Sequence, residues 1–356
     1  MSVDRLYDIW FRRIRELLDT ERITRVRNLV WLLVGLSLSR SVHLSRIAAK
    51  LPWRASLSSA VQRLARFLQN GAFRVRPWYR PLVQPLLAEA AKHGPLRLIV
   101  DASKVSAHHR LLMVALAFRR RALPLAWTWV NTAQGHSDAL KQLTLLNYVR
   151  QLLPQGAQVI LVGDCEFGAV TVPQQLQAWH WQYVLRQKQS NSVCVSLQRR
   201  WEHCSDLVPT QDVLYWYPQA LLTHALLPTS LLAFWQSGQN QPWLLATNLP
   251  DAQATLRAYR RRMWIEEMFG DWKGHGVDIE NTRLSHVTRL SRLTFVVALW
   301  YLSLITQGSR TIKAAQRYLV DRKHRRDLSI FRIGLYMTDR RLAHGLSCPI
   351  HMIPYF

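Results

Sequence analysis

Leu96-Arg97-Leu98-Ile99-Val100-Asp101 and Gln158-Val159-Ile160-Leu161-Val162-Gly163-Asp164 are the two stretches that decide the reading. Each is a short apolar run containing β-branched residues, which predicts a buried strand, and each delivers an aspartate at its end. Between them, Leu111 to Phe118, the basic turn Arg119-Arg120-Arg121 and Ala122 to Val130 read as a β-hairpin. Ser137 to Leu153 returns to helical spacing, and Trp181 to Leu185 adds a further strand. Strands interleaved with helices predict an α/β core.

Acidic residues are so sparse that only Glu89, Asp101 and Asp138 occur between residues 22 and 163. A lone aspartate after a strand is often no more than a turn former. Two of them, each emerging at a strand end, point instead to a cleft and a metal site. Carboxylates beside a polyanion weaken its binding unless they hold cations, and hard Mg²⁺ prefers oxygen ligands. Two such ions, roughly 3.5–4 Å apart, stabilise both the attacking and the leaving oxygen of an in-line phosphoryl displacement.

A third carboxylate lies in the helical run from Ala252 to Lys273, which Gly274-His275-Gly276 ends. Tyr259, Arg262, Glu266 and Lys273 are spaced to share one side of that helix. The plain alternative is a solvated face in which Arg262 and Glu266 form an ordinary ion pair. The spacing Tyr-x2-Arg-x3-Glu-x6-Lys, after two strand-end aspartates in order, resembles the DDE transposases of bacterial insertion sequences, in the branch called the insertion-sequence-four family. The segments IVDASKV and LVGDCEFG look like the regions of that family's two catalytic aspartates.

The resemblance covers about residues 96 to 310 and implies an RNase H-like catalytic core with a helical N-terminal DNA-binding domain and a mainly β insertion. It implies that Asp101, Asp164 and Glu266 are catalytic and hold two Mg²⁺ ions, with Mn²⁺ able to substitute, and that Tyr259, Arg262 and Lys273 contact DNA phosphates. Glu267 is turned about 100° around the helix from Glu266, away from the stripe. Arg186 and Lys188, after the strand at Tyr183 to Leu185, are further candidates for DNA phosphates, with solvated surface as the alternative. Trp235 and Trp243 are candidates for stacking a flipped base, though a core role is expected for both, and His136 reads as structural.

Composition widens the case. The 356 residues are 49% hydrophobic with 15 Trp, so the chain can bury real cores. The net charge is +25, and 39 of the 47 basic residues are arginine, the side chain best matched to phosphate. DNA is therefore the expected partner. Residues 22–88 hold twelve basic residues and no acid. Their periodicity predicts helices, with His43 to Leu51, Pro52 and a Ser56-capped run to Gln69 compatible with a helix-turn-helix.

The expected domains are 1–92, helical and basic; 93–189, first part of the core; 190–250, the mainly β insertion; 251–310, the core helix carrying Glu266; and 311–356, helical and basic, with the cluster Arg322 to Arg326. The charged N-terminal helix does not read as a signal peptide, and Cys165, Cys194, Cys204 and Cys348 lack disulfide or CxxC spacing. A cytoplasmic, nucleoid-associated protein is expected. The apolar runs Asn28 to Ser39 and Leu293 to Thr306 fall short of the ~20 residues of a membrane span, so no membrane role is expected.

The expected reaction is metal-dependent cleavage at transposon ends followed by strand transfer into target DNA, with terminal inverted repeats and target DNA as partners and a homodimer in the synaptic complex. Two rivals remain at this point: an RNase H-like structure-selective nuclease, and a catalytically inactive transposase-derived repressor that only binds DNA.

Overall fold

The computed structural model describes residues 3–106, 108–131, 137–195, 200–208 and 210–356, the His275 side chain apart. It divides into two compact units, one formed by residues 1–89, 105–107 and 268–356, the other by residues 90–104 and 108–267.

The first unit is helical. Its N-terminal part comprises α1 (Val3–Leu17), α2 (Ile23–Ser39), α3 (Leu44–Ala48), α4 (Leu57–Gln69) and α5 (Val75–Ala91). Leu29, Leu32, Leu33 and Leu36, at helical spacing along α2, are buried. Ser56 caps α4, its hydroxyl accepting the Ser59 N–H at 3.3 Å. Helix α5 falls in the region expected to be helical although Pro81 and Pro85 lie inside it, where each removes a backbone donor.

The second unit is built on a sheet. In chain order it contains β1 (Leu96–Lys104), β2 (His109–Phe118), β3 (Arg121–Asn131), α6 (Ala139–Arg150), β4 (Val159–Gly163), α7 (Thr171–Ala178) and β5 (Gln182–Arg186). There follow β6 (Ser192–Cys194), β7 (Glu202–His203), β8 (Leu214–Leu222), β9 (Leu227–Phe234), β10 (Trp243–Thr247), α8 (Ala252–Tyr259) and the first half of α9 (Met263–Trp272), whose residues from 268 on are counted with the helical unit. Among the described residues the strands form one ten-stranded sheet in the order β3-β2-β1-β4-β5-β10-β9-β8-β6-β7. The first three strands are antiparallel, and β4 and β5 run parallel to β1. The β-rich segment after β5 thus continues the same sheet through β10.

The expectation that Asp101 lies just beyond its strand needs correction. β1 continues to Lys104, because the long partner β2 pairs with it from Leu98 to Lys104. Only the parallel pairing with β4 stops at Val100. At the hairpin tip Arg119 and Arg120 have φ of 43° and 65°, the left-handed conformation that a two-residue hairpin turn demands.

Returning to the helical unit, α10 (Val287–Lys313) and α11 (Ile330–Ala343) form its most intimate helix pair. The apolar run in α10 extends further than expected. Over its 27 residues it is long and apolar enough to cross a membrane, yet 94% of the apolar window is buried inside the protein. It is a core helix. The pair closes over Gly308 and Gly334, where an added methyl would overlap the Ile330 and Leu304 carbonyl groups respectively. Gly308→Val is therefore expected to cost more than about 3 kcal/mol, since overpacking against backbone finds no relief; urea unfolding measures it, and an unchanged midpoint would contradict the close approach.

The basic C-terminal cluster is also corrected: it is not helical. Residues 321–329 form an irregular loop gathered by Arg317, whose guanidinium donates to the Arg322, Lys323 and Arg325 carbonyl oxygens. Asp321 completes this knot by pairing with Arg317 at 2.9 Å and accepting the Arg322, Asp327 and Leu328 N–H groups. Burial pushes its carboxyl upward, but these bonds outweigh burial and hold it below the usual range. A depressed folded value stabilises the protein above the ordinary carboxylate value and is lost as pH falls through the folded one. Asp321→Asn should therefore melt earlier than wild type at neutral pH, with the deficit shrinking as pH drops below about 4; a deficit independent of pH would contradict this role.

Candidate active site

The parallel register between β1 and β4 ends at Val100 opposite Gly163, so the next residues, Asp101 within β1 and Asp164 just after β4, stand at the same level. The two share one local device. Asp101 Oδ1 accepts the Ala102 N–H, and Asp164 Oδ1 accepts the Cys165 N–H, each at 2.7 Å. A carboxylate anchored by its own following amide keeps a fixed rotamer, which is what a pre-positioned ligand needs.

The third carboxylate arrives from the helical segment, in modified form. The expected continuous helix is α8, a tight 3₁₀ turn at Arg260–Arg262, and α9, followed by a π turn at Lys273–Val277. Arg262 is the junction. Its Nη1 lies 3.2 Å from Asp101 Oδ2 and its Nη2 lies 2.6 Å from Glu266 Oε1. Residues 101 and 266 are thereby joined through one guanidinium. Glu267 turns elsewhere, with its Oε2 3.0 Å from Arg121 Nη1.

Tyr259 is buried, packs edge-on against Trp243 at 5.1 Å, and has a hydroxyl with no hydrogen-bond partner among the described residues. Burial pushes that hydroxyl up to about 12, Arg262 opposing and Asp164 adding to the shift. A buried, neutral, unpaired hydroxyl is costly by itself and marks a place where a further acceptor fits. Lys273 belongs to the helical unit, where its Nζ lies 2.8 Å from Glu280 Oε1.

On the sheet side, Arg186 Nη1 lies 4.0 Å from Asp164 Oδ1 while its Nη2 donates to the Pro242 carbonyl at 3.1 Å. Lys188 is exposed two residues further on. Trp235 donates its indole N–H to the Gln239 carbonyl at 2.9 Å, and Trp243 is occupied with Phe234 and Tyr259. His136 lies outside the described residues.

One further acid near the site belongs to no motif in the sequence. Glu166, two positions after Asp164, is almost fully buried and pairs with Arg110 at 2.8 Å. It also accepts both the backbone N–H and the hydroxyl of Ser137 at 2.7 Å. It ties the turn carrying Asp164 to β2 and to the start of α6. Its rarity as an acid in a basic stretch was the available signal.

The electrostatics set the chemistry. Burial pushes the Asp101 carboxyl up to about 7; Arg262 and the Ala102 N–H pull it down, and Asp164 and Glu266 push it further up. For Arg262 burial lowers basicity, but Tyr259, Asp101, Glu266 and Asp164 together outweigh it and the net shift is upward. Three carboxylates thus face two arginines, an arrangement short of positive charge. The donor atoms are all carboxylate oxygens, the set suited to a hard divalent cation. Among the described residues no three Asp, Glu, His or Cys side chains close on one point. Arg262 stands between Asp101 and Glu266 and supplies the positive charge there.

The family model described as "Transposase DDE domain" matches residues 92–302, more than half of the chain. No curated protein sequence matches. Among solved structures, a piggyBac transposase synaptic complex with hairpin DNA is 8% identical, with a TM-score of 0.45 over 97% of this chain and 79% of that one.

Proposed function

The chain belongs to the transposase DDE domain family, and from that premise we propose that it cuts DNA at transposon ends and joins the freed ends to target DNA. The carrying observation is the convergence of Asp101 with Asp164 by strand register and with Glu266 through Arg262. The strand order β3-β2-β1-β4-β5 supports an RNase H-like core. The Tyr259, Arg262, Glu266 and Lys273 spacing supports placement in the insertion-sequence-four branch.

Asp101, Asp164 and Glu266 are the residues that would hold divalent cations, two Mg²⁺ in this reading, with Mn²⁺ as a substitute. Such cations offset phosphate charge and make water, then a DNA 3′ hydroxyl, a better nucleophile. The protein's own part is positioning and charge. Asp101, within β1, and Asp164, just after β4, hold fixed rotamers at the level where those two strands part. Arg262, Arg186 and Lys188 attract and orient the phosphodiester, and the Tyr259 hydroxyl donates to a phosphate oxygen once DNA is seated. Lys273 contributes a phosphate contact along the DNA. Preorganised donors of this kind supply most of the acceleration in phosphoryl transfer. DNA ends are brought together by two copies of the chain.

The test uses a plasmid carrying the DNA that flanks this reading frame on both sides. Incubation of the full-length protein with Mg²⁺ should nick at the inverted repeats and yield joined products in a second plasmid. Nicking of branched DNA alone would favour a structure-selective nuclease, and binding without nicking would favour a repressor; either outcome overturns the proposal.

A further inference from the structure

In the helical unit a cavity of about 250 Å³ is lined by Gln69, His286, Thr288, Arg289 and Arg292. No role assigned above uses it. It sits where α4 ends, at Gln69, and where the 27-residue α10 begins. His286, Thr288 and Arg289 fall at the start of α10, its positive end, and the N-cap residue His286 makes no side-chain capping bond.

Arg292 is the fixed element. Only 7% exposed, it donates from Nε to the Phe73 carbonyl at 2.8 Å and from Nη1 to the Leu68 carbonyl at 2.7 Å, over the face of the Phe73 ring. Both contacts are to neutral backbone, so its charge is not cancelled, and a guanidinium has donors to spare. Arg289 has no hydrogen bond or ion pair among the described residues. The surrounding sequence supplies no carboxylate either: residues 22–88 and 281–320 contain no Asp or Glu.

A buried arginine is stable when its charge is answered. Here it is answered by no acid on either flanking segment, and the cavity beside it is large enough to admit an anion with its water. We infer that this cavity binds a phosphodiester of the DNA backbone, Arg292 and Arg289 giving charge-assisted N–H donors and Thr288 and Gln69 giving neutral ones. The inference rests on the DNA-transposase reading and extends it to a second contact region, in the helical unit. A phosphate held there fixes register on the duplex without reading its sequence.

The experiment measures binding of the full-length protein to fluorescently labelled duplexes of several sequences across a range of NaCl concentrations. Arg289→Gln is the variant, since Arg289 supports no other residue; Arg289→Lys keeps the charge, and Arg283→Gln removes a neighbouring arginine outside the cavity. Losing one phosphate contact should make the slope of log affinity against log salt shallower by about 0.9, equally on every sequence. Arg289→Lys should restore the slope and Arg283→Gln should keep it. An unchanged slope in Arg289→Gln, or the same loss in Arg283→Gln, overturns the inference. Broadening of the inorganic phosphate ³¹P signal by wild type, with an unchanged DNA slope, would make the cavity a free-phosphate site and overturn it too. Those failures leave the transposase reading standing, whereas a wild-type protein with no affinity for DNA would remove both.

Discussion

Asp164→Ala, Asp101→Ala and Glu266→Ala are each expected to lower metal-dependent DNA nicking by about 10³-fold or more while leaving DNA affinity nearly unchanged. The magnitude follows from the several kcal/mol that a divalent cation contributes to phosphoryl transfer, each 1.36 kcal/mol being about tenfold in rate. Binding survives because affinity comes from the +25 net charge, and removing one carboxylate makes that field more positive. The three losses should not multiply in double variants, since groups that act as a unit fail as a unit. Gel analysis of nicked plasmid, with anisotropy for binding, reads both quantities. Glu267→Ala is the internal comparison: its carboxylate pairs with Arg121, and nicking should stay near wild type. Loss of nicking in Glu267→Ala with retention in Glu266→Ala would reassign the helix carboxylate.

Arg262→Gln has the second-largest expected effect, and its sign is less obvious. The guanidinium bridges Asp101 and Glu266, whose side chains are 13% and 43% exposed. Removing one partner of a buried ion pair costs about 3–5 kcal/mol, and the exposure of Glu266 brings the expected loss down to about 2 kcal/mol. Thermal stability without divalent ions should fall accordingly. Affinity for Mn²⁺ in the absence of DNA should rise, because the cation no longer competes with a tethered positive charge. Added Mn²⁺ should then restore much of the lost melting temperature, as binding to the folded state alone requires. DNA nicking should nonetheless be poor, for want of a phosphate contact. Weaker Mn²⁺ binding in the variant would show that Arg262 supports the cation site instead of standing in it.

Much of the sheet was legible because its strands are apolar runs cut off by polar punctuation. Leu96 to Val100 and Gln158 to Gly163 announced β1 and β4, and the alternation around Arg119 to Arg121 announced the hairpin. The extension of β1 past Asp101 was not legible, since Ala102, Ser103 and Lys104 owe their strand geometry to β2, a long-range partner. The helical reading of residues 22–88 extends over most of α5 even though Pro81 and Pro85 lie inside it, which local propensity rejects and tertiary packing tolerates. Arg289, Arg292 and Arg310 punctuate the apolar run of α10, and at Arg292 the charge is carried inward onto backbone carbonyls.

The site was legible by different means. Spacing along the helix selected Tyr259, Arg262 and Glu266, and strand ends selected the two aspartates. That Arg262 would turn inward to pair with Asp101 was not readable, because the 3₁₀ turn that aims it is set by packing and not by residue type. Glu166 escaped for a related reason: its partners, Arg110 and Ser137, lie 56 and 29 residues away.

The proposed binding of divalent cations by Asp101, Asp164 and Glu266 together is most directly tested by letting the cation mark its own ligands. Fe²⁺ is substituted into the DNA-bound protein, ascorbate and peroxide generate hydroxyl radical at the ion, and the resulting peptide fragments are mapped by mass. Backbone scission beside all three residues, suppressed by excess Mg²⁺, is the predicted pattern. Scission that omits any one of the three, or that persists unchanged in excess Mg²⁺, would contradict the account.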